Sequence, residues 1–191
     1  MIEIRSVTPE DAGRLLEIYS YYVKNTAISF EYKVPSLEEF HERIVNISKK
    51  YPYICAVVDG KIIGYAYAKA FHEREAYKLS VELSIYVDLD NRRCGCGRIL
   101  YNALEEMLKQ QGVKNLYACI AVPPKKADEY LSFDSMRFHK KMGFKTVGHL
   151  HLCGIKFDRW YDMIYMEKII QYGRDQHGSF SIPDDTKCKR R

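Results

Sequence analysis

The 191-residue sequence predicts one mixed α+β domain, a mostly antiparallel central sheet of about seven strands flanked by about four helices. Three observations carry that expectation. Two β-rich runs, Tyr53 to Val58 and Lys61 to Ala70, meet at Asp59-Gly60, a pair that tolerates the positive φ of a type I′ hairpin turn. Lys78 to Val87 alternates in polarity and leads through a glycine-rich loop into a segment of helical periodicity. Further amphipathic helical segments before and after these strands supply the layers that cover a sheet.

In chain order, Ile2, Ile4 and Val7 bracket a short first strand. Thr8-Pro9-Glu10-Asp11 then offers an N-cap, a proline at the first helical position and acids in the first turn. Ala12, Leu15, Leu16, Tyr19, Tyr22 and Val23 recur at helical spacing to about Lys24. After a loop carrying Ser29, Phe30 and Glu31, Ser36 and Glu39 form a capping-box pattern for a second helix with Leu37, Phe40, Ile44 and Ile47 on one face. The hairpin follows. In Lys78 to Val87, the residues Leu79, Val81, Leu83, Ile85 and Val87 share one face and Ser80, Glu82, Ser84 and Tyr86 the other. The loop Asp88 to Gly97 opens a third helix that ends at Gln111 with Gly112 as its cap. Asn115 to Val122 reads as a strand, and the aperiodic Pro123 to Asp134 as a loop before a short helix, Ser135 to Met142, ended by Gly143. Two late strands, about Lys145 to Ile155 and Tyr161 to Glu167, complete a domain over residues 1–170. Residues 171–191 turn polar and aperiodic and are expected to form a mobile tail.

Composition excludes several classes. Hydrophobic and charged fractions of 47% and 29% are those of a folded soluble chain, and no apolar run approaches the roughly 20 residues that cross a bilayer. Met1-Ile2-Glu3-Ile4-Arg5 has no cationic segment followed by an apolar one, so a cytoplasmic location is expected and the six cysteines are read as free thiols. The net charge of +5 suits an anionic ligand without indicating nucleic acid.

The most informative segment is Asn91-Arg92-Arg93-Cys94-Gly95-Cys96-Gly97-Arg98, between strand and helix. Glycines at a helix start let a phosphate approach, and the free N–H groups and helix dipole favour negative charge. Arg92, Arg93 and Arg98 add cations at the same point. A dinucleotide fold would need Gly-x-Gly-x-x-Gly after a first strand, and a P-loop would need Lys-Ser/Thr where Arg98-Ile99 stands, so both nucleotide readings fall.

Arg92-Arg93-Cys94-Gly95-Cys96-Gly97 resembles the [Arg/Gln]-x-x-Gly-x-[Gly/Ala] hallmark of the GNAT acyl-CoA N-acyltransferases. Pro52-Tyr53, Gly64-Tyr65-Ala66-Tyr67-Ala68, Arg74-Glu75-Ala76-Tyr77, Val81-Glu82, Ile85-Tyr86-Val87 and Lys156-Phe157-Asp158-Arg159-Trp160-Tyr161-Asp162 resemble its phosphinothricin and methionine sulfone (sulfoximine) acetyltransferase branch. The resemblance spans Ile2 to about Ile170. It implies acetyl-CoA along a splayed central strand, with Ile85, Tyr86 and Val87 beside the pantetheine arm and Arg92, Arg93, Cys94, Gly95, Cys96, Gly97 and Arg98 around the pyrophosphate. Glu82 would be the general base, because an amine protonated at neutral pH has no lone pair to attack a thioester, and an N–H near Val87 would meet the developing oxyanion. His139, in Ser135-x-x-x-His139-x-x-x-Gly143, matches a family histidine near the cofactor and is a candidate proton donor. The family's CoA-contacting asparagine is replaced in the stretch Ser132-Phe133-Asp134, where Ser132 is the substitute hydrogen-bonding group. Arg74 and Tyr77 match acceptor-side positions, an arginine fork suiting a carboxylate, and Phe30, Glu31 and Trp160 are further candidates for that pocket. The branch also implies a homodimer, no metal, and a small-molecule amine as substrate rather than nucleic acid or membrane. A peptide N-terminus or a polyamine remains open as acceptor.

Other features of the sequence invite different readings. His149, His151 and Cys153 alternate on one expected strand and would face one side, but spacing offers no fourth zinc ligand, so a packed strand face is the milder reading. Cys94 and Cys96 alternate with glycines and are expected simply to pack. Sixteen tyrosines and the basic end Lys187-Cys188-Lys189-Arg190-Arg191 raise a nucleic-acid or protein-binding module, yet the tyrosines are spread through strands and helices instead of forming one stacking face.

Overall fold

The computed structural model describes residues 1–171; the expected tail beyond Gln171 lies outside the described residues. Seven strands, β1 (Glu3–Ser6), β2 (Tyr53–Val58), β3 (Lys61–Ala70), β4 (Ser80–Val87), β5 (Asn115–Val122), β6 (Lys145–Lys156) and β7 (Arg159–Ile169), form one sheet in the order β1-β2-β3-β4-β5-β7-β6. Every neighbouring pair is antiparallel except β4 and β5.

Four helices cover the two faces: α1 (Ala12–Asn25), α2 (Leu37–Ser48), α3 (Cys96–Gln110) and α4 (Asp134–Lys141). β2 is buried along nearly its whole length because alternate residues feed opposite cores. Tyr53, Cys55 and Val57 pack with α1 and α2, whereas Ile54 and Ala56 pack with α3. On α3, the spacing of Leu100, Leu104 and Leu108 sets three fully buried side chains on the sheet, each worth about 2–5 kcal/mol against alanine. The capping box of α2 is present: Ser36 Oγ accepts from the Glu39 N–H at 3.1 Å, and Glu39 Oε2 accepts from the Ser36 N–H at 2.7 Å.

Several boundaries differ from expectation for local reasons. Pro9–Asp11 is a 3₁₀ turn, held as Asp11 accepts from both guanidinium nitrogens of Arg5 at 2.7 and 2.8 Å, so α1 starts at Ala12. Glu75–Tyr77 forms another 3₁₀ turn, which delays β4 to Ser80 and leaves Leu79 exposed. The β6–β7 turn uses Phe157 and Asp158 at φ of 51° and 57°, a positive-φ pair without glycine. Stacking of Phe157 on Tyr130, 4.1 Å between centroids, holds it. β6 is also irregular: Leu150 pairs with Met163 and Gly154 with Tyr161, so four steps on β6 match two on β7. Leu152, at φ 47°, lies inside this bulge.

The feature that positions chemistry is the β4–β5 pair. It is in register only at Ser80, Val81 and Glu82 against Asn115, Leu116 and Tyr117. Beyond Glu82, β4 stays on β3 through Val87 and β5 stays on β7 through Val122, so the two strands part.

Candidate active site

The opening between β4 and β5 is a wedge lined by Leu83, Ile85 and Tyr86 on one side, Ala118 and Ile120 on the other, and Tyr101, Ser135 and His139 behind. It joins, through Ile28, Ser84, Tyr86, Cys119 and Ala121, a cavity of about 520 Å³ on the α1–α2 face. That volume is in the usual range for a small-molecule site.

Glu82 lines the larger cavity at the last paired position of β4. Its side chain is 18% exposed, and its carboxylate lies 2.9 Å from the Nζ of Lys69, its register partner on β3. Phe30 and Glu31 line the same cavity, and Glu31 pairs with Arg43 at 2.8 Å. Tyr19, Tyr53, Tyr65 and Tyr67 supply much of the remaining wall. Burial raises the hydroxyl pKa of Tyr19, Tyr53 and Tyr65, so these stay protonated donors. The loop carrying Phe30 is pinned from below. Lys156, 3% exposed, donates to the carbonyls of Val23, Thr26 and Ser29 at 2.8, 2.9 and 2.6 Å, and burial lowers its pKa.

At the head of α3, Gly95 is the N-cap at φ 87°, with no side chain capping the helix. The Arg98 and Ile99 amides turn back to the Gly95 carbonyl, whereas those of Cys96 and Gly97 lie in the first turn, where a helix supplies no acceptor. A Cβ at Gly97 would stand 3.3 Å from the Phe138 ring and 3.5 Å from Ile85, so glycine keeps this approach close. Arg92, Arg93, Cys94 and Arg98 are exposed around it, with Arg92 also 5.2 Å over the Tyr22 ring. An uncapped helix start ringed by three arginines fits a pyrophosphate. Cys94 and Cys96 do not act as a pair: Cys94 is exposed and bonds to the Asn91 carbonyl, while Cys96 is buried and its thiol is pushed up to about 12.

Other expected residues take different places. Both backbone groups of Val87 are taken by one hydroxyl, since Tyr22 donates to the Val87 carbonyl and accepts from its N–H at 3.2 Å. Ser132 is exposed and accepts from the Asp134 N–H, and Ser135 lines the wedge instead. Asp134 turns outward to Arg137. Arg74 and Tyr77 sit in the exposed β3–β4 connection, Tyr77 edge-on to Phe71, and neither lines the cavity; Trp160, 54% exposed at the β6–β7 turn, does not line it either.

His139 is 3% exposed, and burial pushes its imidazole down to about 4, a hydrogen bond to Ser135 offsetting part of that. The Ser135 carbonyl can only accept, so Nδ1 carries the proton, 2.8 Å away, and Nε2 accepts from the Tyr101 hydroxyl at 2.8 Å. A neutral ring whose N–H is given to the backbone is a holder of Tyr101, not a charged donor. Both ring nitrogens of the expected proton donor are thus engaged, one with Tyr101 and one with the Ser135 carbonyl.

Arg43, Lys69, Tyr101, Ser135 and Lys156 were not among the expected site residues, although Ser135 and Lys156 stand within the motifs of the resemblance. Arg43 did leave a signal: with Phe40, Ile44 and Ile47 it completes an i, i+3, i+4, i+7 stripe, and a cation inside an apolar stripe points at a cavity.

Comparison with known proteins agrees with this geometry. The Acetyltransferase (GNAT) domain matches residues 4–165. Phosphinothricin N-acetyltransferase of Streptomyces viridochromogenes is 28% identical over 167 residues, 87% of each chain. The L-methionine sulfoximine/L-methionine sulfone acetyltransferase of Pseudomonas paraeruginosa is 31% identical, covering 86% of this chain and 92% of that one. Among solved structures, a GNAT superfamily phosphinothricin acetyltransferase from Sinorhizobium meliloti in complex with AcCoA superposes with a TM-score of 0.83 at 30% identity, over 97% of both chains. A ribosomal-protein-alanine N-acetyltransferase from Brucella melitensis does so at 0.79 and 33% identity, over 88% of this chain and 99% of that one. With the splayed β4–β5 pair and the arginine-ringed start of α3, these matches place the chain in the GNAT family of acetyltransferases.

Proposed function

We propose that this enzyme acetylates the primary amine of a small amino-acid-like acceptor, of the phosphinothricin, methionine sulfone or methionine sulfoximine type, with Glu82 as general base. The observation that carries the reading is the position of Glu82, where β4 leaves β5 and the wedge meets the larger cavity. Acetyl-CoA supplies an acetyl group activated as a thioester. The chain's part is to bind, orient and deprotonate. The start of α3 with Arg92, Arg93 and Arg98 holds the pyrophosphate, and Ile85 and Tyr86 with β5 shape the slot for the pantetheine arm. Glu82 takes the proton that the ammonium must lose before nitrogen can attack. Tyr101, held by His139, offers a hydroxyl in the wedge.

Within the cavity the cations Lys69 and Arg43 are each paired with an acid, Glu82 and Glu31. This balance suits a zwitterionic amino acid whose carboxylate reaches Arg43, and it offers no uncompensated negative field for a polyamine. Phe30 forms the apolar wall. A peptide α-amine is the second reading, favoured by the likeness to the Brucella structure.

The chain is also proposed to be a cytoplasmic homodimer acting without nucleic acid or membrane. The dimer reading is supported by exposed Val147, Leu150, Leu152 and Trp160 along the β6–β7 edge. Among the described residues no helix is long and apolar enough to cross a membrane.

The test is release of free CoA from acetyl-CoA across amino-acid analogues, alanine-starting peptides and polyamines, with Glu82→Gln compared in parallel. Expected is turnover with carboxylate-bearing small amines, and a kcat lower by about 10²–10⁴ in Glu82→Gln with acetyl-CoA affinity retained. Turnover confined to peptides would replace the acceptor assignment, and unchanged kcat in Glu82→Gln would remove the base.

A further inference from the structure

Away from the transfer site, the bulge in β6 gathers three ligand-bearing side chains that acetyl transfer does not use. His149 Nε2 is 2.8 Å and His151 Nδ1 is 3.5 Å from the same oxygen, Asp162 Oδ2, and the three donor atoms all lie within 4.8 Å of one another. The expected third member, Cys153, is exposed and outside this cluster. The irregular register explains the exchange: two extra residues between Leu150 and Gly154 break the alternation, and Asp162 from the neighbouring strand completes the group.

Asp162, on β7 one strand in from the sheet edge, is 2% exposed, an unusual position for a carboxylate. Its other oxygen, Oδ1, accepts from the Leu152 N–H at 2.7 Å, so a backbone donor inside the bulge fixes the carboxylate's orientation. That is the kind of outer support that metal-binding carboxylates receive. A tetrahedral ion with bonds of about 2.0–2.1 Å keeps its ligand atoms roughly 3.3–3.4 Å apart. The separations of 2.8 and 3.5 Å to Asp162 Oδ2 bracket that value, and the two histidine donor atoms lie within 4.8 Å of each other. Two imidazoles and one carboxylate select zinc and its d-block neighbours over magnesium or calcium, which prefer all-oxygen sites.

We propose that His149, His151 and Asp162 form a binding site for a zinc-class divalent ion, with three protein ligands and a fourth position open to water. Asp162 is adjacent to Met163, which lines the acceptor cavity, and successive strand residues face opposite sides. The site therefore lies behind the cavity wall, and its ion clips the bulged edge strand to β7 rather than entering the reaction. The ring nitrogens that face Asp162 bind the ion only when they carry no proton.

The experiment uses the full chain, treated with chelator and desalted, and titrated with Zn²⁺ and with Co²⁺ by calorimetry and visible absorption. Expected is one ion per chain in the micromolar range or tighter, a cobalt spectrum without thiolate charge-transfer bands, and a rise in Tm on adding Zn²⁺. His149→Gln and His151→Gln, whose amides can still donate to Asp162, should each weaken binding at least tenfold and leave the metal-free Tm and acetylation unchanged. Glu82→Gln should bind the ion as the parent does. Absence of saturable binding, a thiolate band, or binding that survives both histidine substitutions would overturn the site and leave the acetyltransferase reading untouched.

Discussion

Burying His139 makes the stability of this fold depend on pH in a calculable way. The ring's folded value is pushed down to about 4 by burial, against about 6.5 in an unfolded chain. Between those values the unfolded state binds the proton and the folded state does not. Stability is therefore complete above about pH 6.5 and is lost as pH falls through about 4, the same direction as for a depressed carboxylate. In full that difference is worth about 3.4 kcal/mol, and about 2 kcal/mol of it is lost between about pH 7.5 and pH 5. Urea unfolding of the parent and of His139→Gln at both pH values isolates the contribution, because other titrating groups largely cancel in the comparison. Glutamine can still accept from Tyr101 and donate to the Ser135 carbonyl. The parent should lose about 2 kcal/mol more than the variant on acidification. Equal losses would show that the ring protonates in the folded protein, and with that the argument for a neutral holder of Tyr101 falls.

Gly154→Ala would set a Cβ 2.3 to 2.8 Å from three atoms of the Phe30 ring. It should move that ring out of the cavity wall, costing about 1–3 kcal/mol and raising the KM for acceptor more than that for acetyl-CoA, as steady-state kinetics would register. Lys156→Met leaves three backbone carbonyls without their shared donor. A loss of about 3 kcal/mol or more by urea unfolding, with faster amide exchange in the Thr26–Glu31 loop, is expected. Thiol labelling of the native protein at neutral pH should mark the exposed Cys94 and Cys153 rapidly. It should spare Cys55 and Cys96, buried and pushed up to about 11 and 12.

What was legible in the sequence is what depends on neighbours along the chain. The Asp59-Gly60 hairpin, the Ser36–Glu39 capping box and the glycine-rich head of α3 are local devices, and each stands where its residues announce it. The β6 bulge was not legible, because period-2 alternation through His149, His151 and Cys153 is broken by pairing with a strand whose register no local signal sets. Lys156 hides for a related reason. Its three carbonyl partners lie more than 120 residues earlier in the chain, so the motif that contains it does not show what it holds.

The position of Glu82 joins the two kinds of information. Alternation alone assigns it to the polar side of β4, with Ser84 and Tyr86, and the structure keeps all three on the larger cavity. What alternation cannot supply is the length of the parallel β4–β5 register, which ends at Glu82 itself. One more paired residue on each strand would bring Ser84 toward the fork and narrow the passage between wedge and cavity. Parallel pairing competes here with two antiparallel ladders, β3–β4 and β5–β7, each of which continues to the end of its strand. Because sheet twist rotates those two ladders apart, the shared parallel segment yields first. The carboxylate at its last rung is thereby left half-buried, ion-paired and facing open volume.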